Sequence, residues 1–94
     1  MDTIDNIHIG ELIRQVLEEQ GRTITWLANQ IGCSRENLYK IFRRSWIHTD
    51  MLQKISVSLN YDFFKEYSQW FDKQKSVNLN SNLSVGLVHK NKNN

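Results

Sequence analysis

The chain has 94 residues, of which 39% are hydrophobic, and its formal net charge at pH 7 is +2. This length predicts one domain with a single core, and no apolar run reaches the ~18 residues that span a membrane. Cys33 is the single cysteine, which excludes an internal disulfide, and the N-terminus lacks the pattern of a signal peptide, so we expect a cytoplasmic protein.

The first predicted helix covers about residues 8–20. Its apolar residues recur at helical spacing, and charged or amide side chains occupy the opposite face. The apolar stripe consists of Ile9, Leu12, Ile13, Val16 and Leu17. Gly21 follows this stretch and is typical of a helix that ends with a residue in the left-handed conformation.

Two short helices are predicted on either side of Gly32. Thr23 is a suitable N-cap for the second helix, and Ser34 is one for the third. A connection of about three residues around Gly32 requires the two helices to cross steeply, and glycine there permits a positive φ. Ala28, one turn earlier, leaves room for the third helix. The apolar residues expected in the shared interior are Leu27, Ile31, Leu38 and Ile41.

A fourth helix is predicted to begin at Thr49 and Asp50, and a fifth to be capped by Asp62. Five helices with short connections indicate an all-α bundle. We assign residues 1–73 to this domain and residues 74–94 to a polar tail. The Asn- and Ser-rich composition of the tail favours disorder, whereas its apolar residues at odd positions favour a short strand that takes part in dimerisation.

The stretch ITWLANQIGCSRENLYKIF, residues 24–42, resembles the helix-turn-helix of the repressor/Cro-like family, also called the xenobiotic-response-element family. The matching residues are Leu27, Ala28, Ile31, Gly32, Leu38 and Ile41. The resemblance covers about residues 8–67, although Cys33 stands where Val or Thr is more usual. It implies a lambda-repressor-like bundle and a sequence-specific transcriptional regulator. The third helix, about residues 34–43, is then expected in the major groove of double-stranded DNA, with a dimer on a palindromic site.

The resemblance also implies which residues contact DNA. The base-contacting residues would be Ser34, Arg35, Glu36, Tyr39 and Lys40. The phosphate-contacting residues would be Thr23, Thr25, Arg43 and Arg44. Helical spacing independently places most of the third-helix residues of these two sets opposite the apolar stripe of that helix.

The charge distribution favours the same segment. Residues 1–20 carry five acids and one base, whereas residues 21–54 carry six bases and two acids. A basic middle in a nearly neutral chain is typical of one face for a polyanion. The guanidinium of Arg35 suits O6 and N7 of guanine, and Glu36 can accept from a cytosine amino group. The alternative is an ordinary mixed surface on which both side chains are solvated charges.

An enzyme is not expected from this sequence. His8, His48 and His89 are far apart and match no metal-ligand spacing, and no glycine-rich phosphate loop occurs. We therefore predict no cofactor and no bound metal.

The predicted fifth helix contains the aromatic stretch FFKEYSQWF, residues 63–71. Phe63, Phe64 and Tyr67 are assigned to the core. Trp70 and Phe71 are assigned to a homodimer interface, because one short helix does not need so many aromatic residues for its own core. The alternative function is a protein-interaction module, such as an antitoxin or an adaptor, that binds its partner through this helix.

Overall fold

The computed structural model describes residues 6–79, which form five α-helices connected by short segments. The helices are α1 (Ile9–Glu19), α2 (Ile24–Ile31), α3 (Arg35–Arg43), α4 (Thr49–Leu59) and α5 (Phe63–Leu79). No strand occurs in this part of the chain, so the predicted all-α class with five helices is confirmed there. The remainder of the predicted tail lies outside the described residues.

One hydrophobic core joins all five helices, because each helix buries apolar side chains along one face. The largest fully buried side chains are Phe63, Ile9, Ile13, Leu17, Leu27, Leu38, Leu52, Ile55 and Leu59. The four residues predicted for the interior of α2 and α3 belong to this core, and so does Ala28. No polar or charged residue is buried in the described chain, so apolar burial is the dominant stabilising term.

Side-chain caps fix the residues at which several helices begin. Thr23, Ser34 and Asp62 each accept a hydrogen bond from the backbone N–H three residues ahead, at 2.9 Å for Thr23 and 3.1 Å for the other two. These are the three caps that the sequence predicted. His8 caps α1 in the same way, through its Nδ1 atom and the N–H of Glu11 at 3.1 Å.

Gly32 ends α2 in the left-handed conformation, with φ 73° and ψ 41°. Only Gly32, Cys33 and Ser34 separate α2 from α3. Apart from its neighbours in the chain, no described residue has an atom within 4 Å of the position that a Cβ atom would take at Gly32. The requirement for glycine is therefore conformational rather than a matter of space, because an L side chain clashes with its own backbone in this region.

Replacement of Gly32 by alanine should lower the free energy of unfolding by about 1–2 kcal/mol, because alanine must adopt the same positive φ. Urea unfolding followed by circular dichroism measures the difference. Gly32→Asn is the matched control. Its free energy of unfolding should fall by less, because asparagine tolerates the left-handed region better than alanine. An alanine variant as stable as the parent chain would contradict the left-handed corner.

The helix α5 extends through Leu79, past the predicted end of the domain at residue 73. Residues 74–79 are therefore helical where the sequence prediction began a tail. Val77 and Leu79, whose odd positions suggested a strand, lie within this helix. No glycine or proline occurs between Asp62 and Leu79, so nothing in the sequence interrupts the helical backbone there.

Candidate functional site

The outer face of α3 gathers the residues that were predicted to contact bases. Leu38, Ile41 and Phe42 are buried on the inner face of this helix. All five predicted base-contacting residues are exposed, and they lie on α3 or at its N-cap. They are Ser34, Arg35, Glu36, Tyr39 and Lys40. The buried stripe of α3 therefore leaves one continuous polar surface in solvent.

This surface carries more basic than acidic side chains. Within α3, Arg35, Lys40 and Arg43 are the bases and Glu36 is the acid. None of the three cations forms an ion pair with any residue in the described range 6–79, where the ion pair is that of Arg14 with Glu18. Their charges are accordingly available to an external anion.

The predicted phosphate-contacting residues lie at two places. Thr23 and Thr25 are exposed at the start of α2, whereas Arg43 and Arg44 are exposed at the end of α3. The hydroxyl oxygens of Thr23 and Ser34 accept the capping hydrogen bonds described above, so each hydroxyl keeps its own proton for donation. Both helix starts thus present a hydroxyl donor toward solvent.

Tyr39 lies where α3 faces the start of α2. Its ring is 40% exposed and packs edge-on against Phe42, with 6.3 Å between the ring centroids. Together with Arg22 and Thr23 it lines a groove between these elements. Tyr39 therefore connects the exposed face of α3 to the N-terminal end of α2.

A cluster of cationic and aromatic side chains follows the end of α3. The guanidinium of Arg44 lies 4.8 Å from the ring centroid of Trp46, and the imidazole of His48 meets the same indole edge-on at 5.4 Å. Trp46 remains 51% exposed despite these contacts. Cation–π attraction between exposed side chains such as these is worth about 0.5–1 kcal/mol and favours this position of the arginine head group.

Gly10 positions the end of α3, and the sequence prediction missed it. Its N–H donates to the carbonyl of Arg44 at 3.0 Å. A Cβ atom at Gly10 would lie 2.5 Å from the carbonyl oxygens of Phe42 and Arg44, and closer still to that of Ile41. The first turn of α1 therefore packs directly on the backbone of α3. A glycine in the first turn of an amphipathic helix is a signal, but its partners lie more than thirty residues away in the sequence.

The two residues predicted for a dimer interface differ in exposure. Phe71 is 56% exposed, and the ammonium group of Lys75 lies 5.9 Å from its ring. Trp70 is half-buried and lines a groove with Ile7. The assignment of Phe64 to the core is wrong, because this side chain is 38% exposed. Phe64 precedes Phe71 by seven residues, so the two exposed rings share one side of α5.

Cys33 lies in the connection between α2 and α3, half-buried against the core. Its thiol donates a hydrogen bond to the carbonyl of Ser34 at 3.3 Å. Burial raises the pKa of the Cys33 thiol, which keeps it protonated and weakly nucleophilic at neutral pH. This residue fills space beside the corner rather than supplying reactivity.

Residues 6–79 contain no group of three or more His, Cys, Asp or Glu side chains arranged to hold a metal ion. None of the described helices combines the length and apolar character needed to cross a membrane. Comparison with protein-family models, with curated proteins and with solved structures gave no match for this chain. The resemblance to the repressor/Cro-like family therefore stays a prediction from the sequence.

Proposed function

We propose that this protein is a sequence-specific DNA-binding transcriptional regulator of the repressor/Cro-like type, with α3 in the major groove. The observation that carries this proposal is the exposed cationic face of α3, which lies opposite its buried stripe and whose cations form no ion pair with any residue of the range 6–79. The major groove of DNA is wide enough to admit an α-helix. The proposal assigns no catalytic role, cofactor or metal to the chain.

The arrangement around α3 supports this placement. The short corner at Gly32 joins α2 to α3 as a helix-turn-helix would, with the first turn of α3 exposed. We assign base contacts to Arg35, which can donate two hydrogen bonds to guanine, and to Lys40. Arg44 is assigned to phosphate, because it lies past the helix end with its guanidinium against Trp46.

The proposed regulator acts as a homodimer. Binding of one such domain to DNA without sequence preference has a Kd of roughly 10⁻⁴–10⁻⁶ M at physiological salt. Two half-sites about one helical turn apart, ~34 Å, let a symmetric dimer combine both contributions. The surface of α5 that carries Phe64 and Phe71 is the proposed contact, with Trp70 at its edge.

The same exposed rings favour a second candidate function. Phe64 and Phe71 also suit a surface that binds another protein, so an antitoxin or adaptor that uses α5 is the alternative. An antitoxin of this kind can bind DNA as well. An adaptor without DNA binding differs from the proposed regulator in a direct assay: it fails to bind random duplex DNA even at low salt.

Selection of bound sequences from a random DNA pool tests the proposed function. The full chain should enrich a palindromic motif. Arg35→Ala should bind the selected site about 1–3 kcal/mol more weakly and lose the preference at one base pair of each half-site. Arg44→Ala is the matched control and should weaken all sequences alike, because phosphate contacts carry no direct sequence information. An unchanged motif for Arg35→Ala would show that this residue does not read a base.

A further inference from the structure

A cleft of about 140 Å³ lies between the C-terminal half of α3, the connection that follows it and the start of α4. Its walls include Lys40, Arg44 and Trp46. Its apolar residues are Ile41, which is buried, and Ile47 and Met51, which are half-buried and packed against the core. The cleft thus combines an apolar base with a polar and aromatic rim.

The charge of this cleft selects for an anion. Lys40 and Arg44 contribute two positive charges, and no Asp or Glu of the described residues 6–79 lines the cleft. Asn37 supplies an amide that donates or accepts. Lys40 has no ion-pair partner among residues 6–79, so an anion would meet a cation that is not already neutralised.

The rim of the cleft is held in place before any ligand arrives. The N–H of Arg44 donates to the carbonyl of Ile41 at 3.1 Å, and the carbonyl of Arg44 accepts from Gly10 at 3.0 Å. Its guanidinium rests against Trp46 at 4.8 Å. Ordering of flexible side chains is a main cost of binding, and this cost is reduced here because the backbone of Arg44 is hydrogen-bonded and its guanidinium already lies against Trp46.

We propose that this cleft is a binding site for a small aromatic carboxylate with a single ring. An engineered apolar cavity of about 150 Å³ holds benzene, so the volume here suits one ring. The ring would contact Ile41, Met51 and the indole of Trp46, and the carboxylate would accept hydrogen bonds from Lys40 and Arg44. A free phosphate uses the cations but leaves the apolar base uncovered, so the observations favour the aromatic anion.

Occupation of the cleft has a regulatory consequence that rests on the proposed function. Lys40 and Arg44 are the same residues that the proposed function assigns to DNA. A bound carboxylate would neutralise them and would lie between α3 and the phosphate backbone. The small molecule is therefore expected to compete with DNA, so the domain that binds DNA would also carry the effector site. Binding of the carboxylate to the free protein does not depend on DNA.

Titration of the full chain with benzoate, followed in ¹H–¹⁵N correlation spectra, tests the site. Benzoate should saturate with a Kd on the order of 1 mM, as expected of so small a ligand, and should shift the indole N–H of Trp46 and the side-chain amide of Asn37. Benzyl alcohol keeps the ring without the charge and should bind at least about tenfold more weakly. Acetate keeps the charge without the ring and should also bind more weakly.

Two lysine variants identify the cation. Lys40→Gln should weaken benzoate about tenfold, whereas Lys65→Gln, which alters an exposed lysine on α5, should leave binding unchanged. Thermal unfolding of both variants checks that they fold. The proposal is overturned by the absence of a saturable shift at Trp46, by equal binding of benzoate and benzyl alcohol, or by benzoate binding that Lys40→Gln does not alter. Displacement of benzoate by equimolar inorganic phosphate would also overturn it, because the site would then recognise phosphate alone.

The effect on DNA is measured separately with the selected site. Loss of DNA binding at saturating benzoate, but not at the same concentration of acetate, supports both the site and its overlap with the DNA contacts. Benzoate binding that leaves DNA affinity unchanged supports the site and contradicts the placement of Lys40 and Arg44 on DNA. Benzoate binding by a chain that fails to bind DNA under any condition supports the site and overturns the proposed function.

Discussion

Gly10→Ala is expected to lower the free energy of unfolding by about 2–4 kcal/mol, near the upper end for a single substitution. The added methyl group would lie within 2.5 Å of backbone carbonyl oxygens of α3. Backbone cannot rotate aside as a flexible side chain can, so α1 and α3 must separate. For a chain of this length the corresponding fall in Tm is roughly 10–30 °C.

The sign of the change in the free energy of unfolding for Gly10→Ala tests whether α1 packs closely on α3. Gly10 is helical, and alanine is intrinsically about 1 kcal/mol better than glycine inside a helix. If α1 did not pack on the backbone of α3, Gly10→Ala would stabilise the protein. Thermal and urea unfolding therefore give opposite signs for the two cases. Gln15→Ala, on the exposed face of the same helix, is the matched control and should change stability by less than about 0.5 kcal/mol.

Replacement of Gly10 should also disturb the cluster of Arg44 and Trp46 at the end of α3. The hydrogen bond from Gly10 to the carbonyl of Arg44 fixes the end of α3, and with it the guanidinium that rests on Trp46. Separation of α1 from α3 should loosen that cluster. In spectra of Gly10→Ala recorded below its Tm, the indole N–H signal of Trp46 should be broadened or shifted. The signal should be unchanged in Gln15→Ala.

The helices and most of their interior could be predicted because their signals are local. The apolar spacing of Leu27, Ile31, Leu38 and Ile41 selects one face of each helix, and that face is the buried one. The caps and the glycine corner are equally local, since each depends on a few consecutive residues. A helical stripe repeats over several turns, so one exception does not obscure it.

Other features could not be predicted, because they depend on contacts between distant segments. The close approach of Gly10 to α3 and the cleft beside Trp46 arise only when α1, α3 and α4 are assembled. Phe64 was placed in the core together with Phe63, but adjacent residues of a helix point in different directions, and Phe63 is the one that is fully buried. The extension of α5 through Leu79 was missed because the polar composition of the segment was given more weight than the absence of a helix breaker.

Charge reversal on the outer face of α3 should abolish most DNA binding. The double variant Arg35→Glu with Lys40→Glu replaces two exposed cations that have no ion-pair partner in the described chain. Each such interaction with DNA is worth about 1–3 kcal/mol, and reversal adds repulsion from phosphate. The expected decrease in affinity for the selected site is roughly 10²–10⁴-fold at low salt. Fluorescence anisotropy with a labelled duplex measures it.

The control for this variant must separate local interactions from overall charge. Lys65→Glu with Lys73→Glu changes the net charge by the same amount, from +2 to −2, but alters exposed lysines of α5. Its affinity should fall by less than about tenfold, and it should keep the dependence of log K on log salt. Equal decreases in DNA affinity for the two variants would mean that binding depends on the charge of the whole protein. That result would contradict the placement of α3 in the major groove.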